Sequence, residues 1–184
     1  MSIYVGIDQS LTKTGVCVLF TRGIEKLKVI RTPKAMRGAA RLVNIRDSIK
    51  KTLEPYQNNV SLAAIEGPSL GSINHADDLG QIRGVVLVLL LDLGIEPILV
   101  VPASLKVFVA ARGDATKEQM IAATAHTWDV AIPQDDACDA HGLARFAEEY
   151  CEGRSHLRHQ IQAVHNMKRP KRTTKTKTLP IKNI

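Results

Sequence analysis

Four acidic side chains stand where apolar segments of the sequence end or where a helix is expected to begin. Asp8 closes the run IYVGID, Glu66 closes SLAAIE, and Asp136 and Asp139 lie within DDACD. Residues three apart face the same way on a helix, so Asp136 and Asp139 can act together. Converging carboxylates repel, by roughly 4 kcal/mol for a pair about 4 Å apart at an effective dielectric near 20. If the three segments meet, the pattern therefore predicts a divalent-cation site.

Carboxylate oxygens without histidine or thiolate favour Mg²⁺, for which Mn²⁺ can substitute, and an acidic site of this size can hold two ions. Two ions about 3.5–4 Å apart can activate water on one side of a phosphodiester and stabilise the leaving oxygen on the other. Taken singly, each acid has a structural explanation as a strand-end or turn aspartate, a surface glutamate or a helix cap. Because three separate segments contribute acid, we favour the joint interpretation.

The apolar patterning predicts the elements that would position these acids. Ile3–Asp8, Val16–Phe20 and the alternating segment EKLKVIRT are expected to form three successive strands, hence an antiparallel meander. The continuously apolar segments SLAAIE and EPILVV are typical of interior strands. Amphipathic or buried patterns predict four helices, over residues 36–53, 75–93, 116–128 and 134–150.

This order predicts an α/β fold: a mixed five-stranded sheet, with an antiparallel meander plus two parallel strands, flanked by helices on both faces. The strand after the first helix can lie parallel to the first strand and beside it. Asp8 and Glu66 would then be neighbours at the carboxyl ends of their strands, where α/β sheets build their sites.

The overall composition limits the class of protein. A chain of 184 residues, 45% hydrophobic and 23% charged, is long enough for one domain with a full core. It opens directly on a strand-like run, and its three cysteines form no CxxC pair, so we expect a cytoplasmic protein with reduced thiols. The longest apolar stretch, residues 84–94, is too short and too flanked by charge to cross a membrane.

The net charge of +7 is concentrated in two zones. Residues 154–184 carry nine Lys or Arg and no Asp or Glu, whereas residues 22–51 carry ten basic and two acidic side chains. A single charge run is usually a solvated face or a disordered end. Two basic zones on an otherwise acidic body favour a polyanion gripped at the edges of an acidic centre. We therefore expect a folded domain over residues 1–153 and a basic, flexible tail over residues 154–184.

Three further motifs identify a resemblance. LGQIRG at Leu79–Gly84, GDATKEQM at Gly113–Met120 and DACDAHGLA at Asp136–Ala144 follow GIDQSLTKTG in order. Taken alone, GIDQSLTKTG is also similar to the phosphate loop of sugar kinases, but those proteins need a second lobe for which this chain has no room. Together the four motifs resemble the RuvC family of Holliday-junction resolvases, within the ribonuclease H-like fold.

The resemblance implies a Mg²⁺-dependent endodeoxyribonuclease that acts as a homodimer and cuts opposed strands of a four-way DNA junction by paired, symmetric nicks. It implies metal binding by Asp8, Glu66, Asp136 and Asp139, with Asp135 as a helix cap. By the same resemblance, lysines near the scissile phosphate and along the DNA path correspond to Lys106 and Lys117. The apolar helix Val85–Leu93 could contribute to the dimer interface.

The sequence departs from the family pattern in two places. Ser10 stands where the family often has glycine, and the loop GPSLGSINHADD lacks the aromatic wedge of many members, with Leu70 the nearest apolar residue. One alternative is therefore a nuclease of the same fold that acts mainly on flaps, other branched DNA or RNA–DNA hybrids. Another is a catalytically silent nucleic-acid-binding relative, against which the intact carboxylates argue because an unused acidic cluster would only destabilise the fold.

Overall fold

The computed structural model of the protein describes residues 2–21, 23, 25–68 and 76–168. These residues contain five strands: β1 (Ile3–Asp8), β2 (Lys13–Phe20), β3 (Glu25–Arg31), β4 (Val60–Glu66) and β5 (Pro97–Val100). The same described ranges contain six α-helices: α1 (Gly38–Leu53), α2 (Ala76–Asp92), α3 (Pro102–Ala110), α4 (Lys117–Trp128), α5 (Asp135–Glu152) and α6 (Arg158–Lys168). A short 3₁₀ helix, Glu54–Asn59, joins α1 to β4.

The five strands form one sheet in the order β3-β2-β1-β4-β5. β1, β2 and β3 pair antiparallel, whereas β4 runs parallel to both β1 and β5. This is the predicted meander plus two parallel strands, so the predicted fold class is confirmed.

Helices cover both faces of the sheet and enclose two hydrophobic cores. On one face, α5 packs across β1, β2 and β4, and its Leu143 and Phe146 are fully buried with Phe108 of α3. On the other face, α1 and α2 contribute Ile45 and Ile82, which are also fully buried. The sheet is therefore an interior layer, and its edge at the carboxyl end of β1 is where side chains can reach solvent together.

Helix α5 lies unusually close to the sheet because two strand residues have no side chain. A Cβ atom at Gly6 of β1 would lie 1.9 Å from the carbonyl oxygen of Ala140, and one at Gly15 of β2 would lie 1.9 Å from that of Asp136. Neither contact is sterically possible. Glycine at these two positions thus fixes how far the first turn of α5 sits from the strand ends.

The sequence pattern did not predict two of the helices, α3 and α6. α3 begins with Pro102 in its first turn, and Ala111, whose φ is 60°, follows its last residue as the C-cap. Contrary to the prediction of disorder beyond Arg154, Arg158–Lys168 form α6, which packs on α3 and buries Ala163 and Val164. The division of the chain at residue 153 stays a prediction, and residues 169–184 lie outside the described part. Among the described helices, none has the length and hydropathy to cross a bilayer.

Candidate active site

Asp8 and Glu66 end neighbouring parallel strands. Ile7 of β1 is in register with Ile65 of β4, so the next residue of each strand lies at the same edge of the sheet. Burial raises the pKa of Asp8 well above its ordinary value, and the negative charges of Glu66, Asp139 and Asp136 raise it further. Burial also raises the pKa of Glu66, whose carboxylate accepts a hydrogen bond from Asp8. The raised pKa values of the two carboxyl groups therefore follow from their burial side by side at this edge.

The first two turns of α5 bring Asp136 and Asp139 to the same edge. Burial raises the pKa of Asp139 to about 6, and the charges of Glu66, Asp135 and Asp136 act in the same direction, whereas Lys117 opposes them. Burial and the adjacent Asp135 also raise the pKa of Asp136. The structure therefore brings all four predicted acids into one electrostatically coupled cluster.

Two residues that were not predicted hold Glu66 in place. Gln9 Nε2 donates a hydrogen bond of 2.7 Å to the main-chain oxygen of Glu66, and Arg83 Nε donates to the same oxygen at 3.2 Å. The charge of Arg83 also opposes the rise in the pKa of Glu66. Arg83 lies in the motif LGQIRG, and Gln9 follows Asp8 in GIDQSLTKTG. Their places in these motifs are the sequence signal by which both residues could have been predicted.

The two predicted lysines lie on the α3–α4 side of the acids. A cavity of about 250 Å³ is lined by Glu66, Asp139, Lys106 and Lys117. Lys106 and Arg83 both lower the pKa of Glu66 against the effect of burial, which places positive charge beside the acidic cluster. A lysine in such a position can act as a point charge on a phosphate oxygen.

Asp135 does not act as the helix cap that was predicted. The N-cap of α5 is Gln134, which makes no side-chain capping bond, and Asp135 is the first residue of the helix. Its carboxylate instead forms an ion pair with Lys117, which lies at the start of α4 where Thr116 and Gln119 form a capping box. The hydrogen bond from Lys117 lowers the pKa of Asp135, so this carboxylate differs from the four beside it.

The chemistry of the donor set fits a hard divalent cation. Four carboxyl groups with raised pKa values converge on one edge, and Gln9 Oε1 is buried nearby without a hydrogen-bond partner among the described residues. Oxygen-only ligands of this kind suit Mg²⁺ or Mn²⁺. In the part of the chain that the structure describes, however, no three His, Cys, Asp or Glu side chains are placed so that they could hold a metal ion together as they stand.

Other residues of the sequence motifs have structural positions outside the acidic cluster. His141 is a fully buried core residue, and the partly buried Trp128 packs on it edge to face at 5.1 Å. Ser10 lies in the turn between β1 and β2, and its main-chain oxygen accepts a hydrogen bond of 2.9 Å from Thr14. The wedge candidate Leu70 lies outside the described residues.

Comparison with known proteins identifies the family. Residues 4–145 match the family model described as crossover junction endodeoxyribonuclease RuvC. The proteins of that name from Roseiflexus sp. (strain RS-1) and Chloroflexus aggregans are 34% and 31% identical to this chain over 147 residues, which is 76% of this chain and 86% and 88% of theirs.

Solved structures share the fold. T. thermophilus RuvC in complex with a Holliday junction substrate superposes with a TM-score of 0.66 at 22% identity, covering 78% of this chain and 91% of that one. A second Thermus thermophilus RuvC structure gives a TM-score of 0.63. The five-stranded sheet is therefore the ribonuclease H-like sheet of those proteins. Because the family match spans most of its length, the chain belongs to the RuvC family of crossover junction endodeoxyribonucleases.

Proposed function

We propose that the protein is a structure-selective endonuclease that resolves four-way DNA junctions by metal-dependent hydrolysis of phosphodiester bonds. The observation that carries this proposal is the convergence of Asp8 and Glu66, on adjacent strand ends, with Asp136 and Asp139 on α5. The relatives are named crossover junction endodeoxyribonucleases, and the similar T. thermophilus protein was solved with a Holliday junction substrate. Both support the same substrate for this chain.

Each part of the site has a separate task. Asp8, Glu66, Asp136 and Asp139 would hold Mg²⁺, or Mn²⁺ in its place, as two ions. Bound there, the ions supply an activated water and charge stabilisation at the phosphate. Gln9 and Arg83 fix the backbone at Glu66 and thereby orient its carboxylate. Lys106 and Lys117 offer positive charge to the phosphate from the α3–α4 side.

The helix pair α1–α2 carries an exposed apolar surface that we assign to a second copy of the chain. A groove of about 520 Å³ lies between these helices and is lined by Leu42, Val43 and Val88. Val88 and Leu91 are 59% and 64% exposed. Paired nicks on opposed strands require two sites held in one assembly, and an isologous dimer supplies both. Val88→Asp with Leu91→Asp should reduce the sedimenting mass from dimer to monomer, and an unchanged mass would exclude this surface.

A cleavage assay tests the proposed activity. The protein and an Asp8→Asn variant are incubated with a four-way junction, a flap, linear duplex and an RNA–DNA hybrid, with Mg²⁺ or with EDTA. Asp47→Asn is the matched control, because Asp47 is an exposed carboxylate paired with Arg46 on α1. We expect paired, symmetric nicks on the junction with Mg²⁺ that are retained by Asp47→Asn and lost in Asp8→Asn.

Other outcomes of this assay would each contradict part of the proposal. If the protein cut flaps or hybrids in preference to the junction, those would be its substrates and the junction would not. We include them because the loop after Glu66 contains no Phe, Tyr or Trp. Cutting that persists in EDTA would refute the role of the metal. Junction binding without any cleavage in Mg²⁺ or Mn²⁺ would indicate a silent DNA-binding relative.

A further inference from the structure

Two basic residues oppose each other at the active-site end of the β2–β3 pair. Lys13 and Arg31 are direct partners in the antiparallel register. Gly15, two residues further along β2, opposes Asp8 of β1, so the basic pair lies just beyond the level of the acids. Side chains alternate along a strand, so Lys13 shares the face of Gly15, which is the face that α5 covers. Both basic side chains therefore arise on the same side of the sheet as Asp136.

The surroundings of the pair show that it reaches the first turn of α5. Arg31 lines a cavity of about 410 Å³ together with Gln134 and Ala137, which flank the acids on α5. Burial and Asp135 raise the pKa of Asp136, and Lys13 opposes that rise, which places its ammonium group within electrostatic reach of the Asp136 carboxylate.

Within the described part of the chain, neither cation of the pair is in contact with an acidic side chain, although Lys13 is close enough to Asp136 to affect its pKa. Lys13 and Arg31 are both exposed, and neither forms an ion pair or a side-chain hydrogen bond with a described residue. Like charges directly opposite each other on paired strands destabilise a sheet. An anion bound between them would relieve that repulsion, and the planar guanidinium of an arginine can bind a phosphate through two hydrogen bonds.

The position of the pair completes an arrangement across the sheet edge. Lys106 and Lys117 lie beyond β4, on the α3–α4 side of the acids. Arg31 is on β3, two strands from β1 on the opposite side, at a distance of about 10 Å for ordinary strand spacing. A DNA strand that crosses this edge would meet lysines, then the carboxylates, then the Lys13–Arg31 pair.

We infer that Lys13 and Arg31 form a phosphate clamp for the backbone of the cleaved DNA strand. The clamp binds the phosphodiester next to the scissile one, on the side away from Lys106 and Lys117. It positions the strand and takes no part in the chemical step. This inference rests on the proposed nuclease function and adds the residues that hold the strand on the β3 side of the acids.

The first test measures binding without cleavage. Lys13→Ala, Arg31→Ala and the double variant are titrated with a four-way junction in EDTA across a range of salt concentrations. Because the pair holds one phosphate, the double variant should reduce the slope of log K against log salt by about 0.9, and each single variant by no more than that. Lys26→Ala is the matched control, because Lys26 is on the same strand as Arg31 but its ammonium lies over the Tyr56 ring. A slope that changes no more than in the control would overturn the clamp.

A second test locates the contact on the DNA. Single phosphates on either side of the cut are replaced in turn by uncharged methylphosphonates. The wild-type protein should lose affinity when the phosphate next to the cut on one side is replaced, and Arg31→Ala should be less sensitive to that replacement. Equal sensitivity in the wild type and in Arg31→Ala would refute the assignment.

Two controls distinguish the clamp from a structural role of the pair and from a change of substrate. Because removal of one cation relieves repulsion, the Tm of Arg31→Ala should be unchanged or higher, and a lowered Tm would indicate a structural role instead. If the wild-type protein cleaves another branched DNA in preference to the junction, the same tests are run on that DNA. A reduced salt dependence of the clamp variants on that DNA would support the clamp, even though the four-way junction was not the preferred substrate.

Discussion

Single side chains in the acidic cluster make the metal-free protein sensitive to pH. Asp139 has a pKa of about 6 instead of 3.8, so the folded state holds its proton more tightly than the unfolded state. The stability that results is fully present below about pH 3.8 and is lost as the pH rises through about 6. Above that value, the folded protein keeps a charged carboxylate where burial and neighbouring acids oppose the charge.

We therefore expect Asp139→Asn to stabilise the metal-free protein at pH 8 and to have little effect at pH 4. The gain should be about 1–3 kcal/mol in the free energy of unfolding, since one pKa unit corresponds to about 1.4 kcal/mol. Thermal unfolding in EDTA at both pH values measures it, with Asp47→Asn as the exposed control. Equal gains at pH 4 and pH 8 would contradict this origin. Added Mg²⁺ should raise the Tm of the wild type at pH 8 but not that of the variant.

The ion pair between Asp135 and Lys117 should restrain a lysine that the substrate needs. Asp135→Asn removes the carboxylate but keeps a side chain of the same shape, and Lys117 then becomes available to phosphate. We expect tighter DNA binding in EDTA and a steeper salt dependence, by about one phosphate contact. The same substitution in a Lys117→Met background should have no effect on either. An additive change in both backgrounds would show that Asp135 acts on DNA without Lys117.

Some site residues could be predicted from the sequence because they mark the ends of elements, whereas others could not because they act through contacts that only the fold creates. The four acids end strands or begin a helix, so their positions followed from the apolar pattern and the order of elements. Gln9 and Arg83 act through the main-chain oxygen of Glu66, and no spacing rule reveals such a contact before the fold is known. Asp135 was assigned as a helix cap because it precedes the family motif at the start of a helix. Its actual partner, Lys117, belongs to another helix, and only the fold brings the two together.

At the scale of elements, the contact between β2 and the start of α5 sets the geometry of the acids. A methyl group at Gly15 would meet the carbonyl of Asp136, which is backbone and cannot move without shifting the helix. We expect Gly15→Ala to reduce Mg²⁺-induced stabilisation and cleavage more strongly than it reduces the Tm in EDTA. Gly113→Ala is the control, since a Cβ there meets its nearest atom at an ordinary 3.7 Å. A Gly15→Ala protein with unchanged response to Mg²⁺ would show that α5 is not set by this contact.

The elements that the sequence did not predict lack the signals that reveal helices and strands. α3 is a nine-residue helix of almost continuous apolar character, so no amphipathic period marks it. α6 has few apolar residues, and packing on α3 stabilises it more than local propensity does. In α1, Val43 lies at an apolar position of the helical pattern but is 45% exposed, whereas Ile45 is fully buried. Apolar spacing alone therefore does not define the buried face of this helix.

Across the whole molecule, charge is distributed as an acidic centre with basic flanks. Lys13 and Arg31 lie on one side of the carboxylates and Lys106 and Lys117 on the other. Residues 169–184 add six basic side chains and no acidic ones. Such a distribution favours a polyanion that crosses the centre, because the flanks attract phosphates whereas the carboxylates alone would repel them.

The basic C-terminal residues should contribute to DNA affinity independently of the folded domain. Removal of residues 169–184 deletes six positive charges, and we expect weaker binding to any duplex with a flatter salt dependence. The Tm and the response to Mg²⁺ should not change. Removal of residues 154–184 also deletes α6, whose Val164 is 6% exposed, and should destabilise the fold by at least about 1.5–3 kcal/mol. Salt titrations and thermal unfolding of both truncated chains separate the two contributions. A salt slope that is unchanged when residues 169–184 are removed would show that the folded domain alone provides the phosphate contacts.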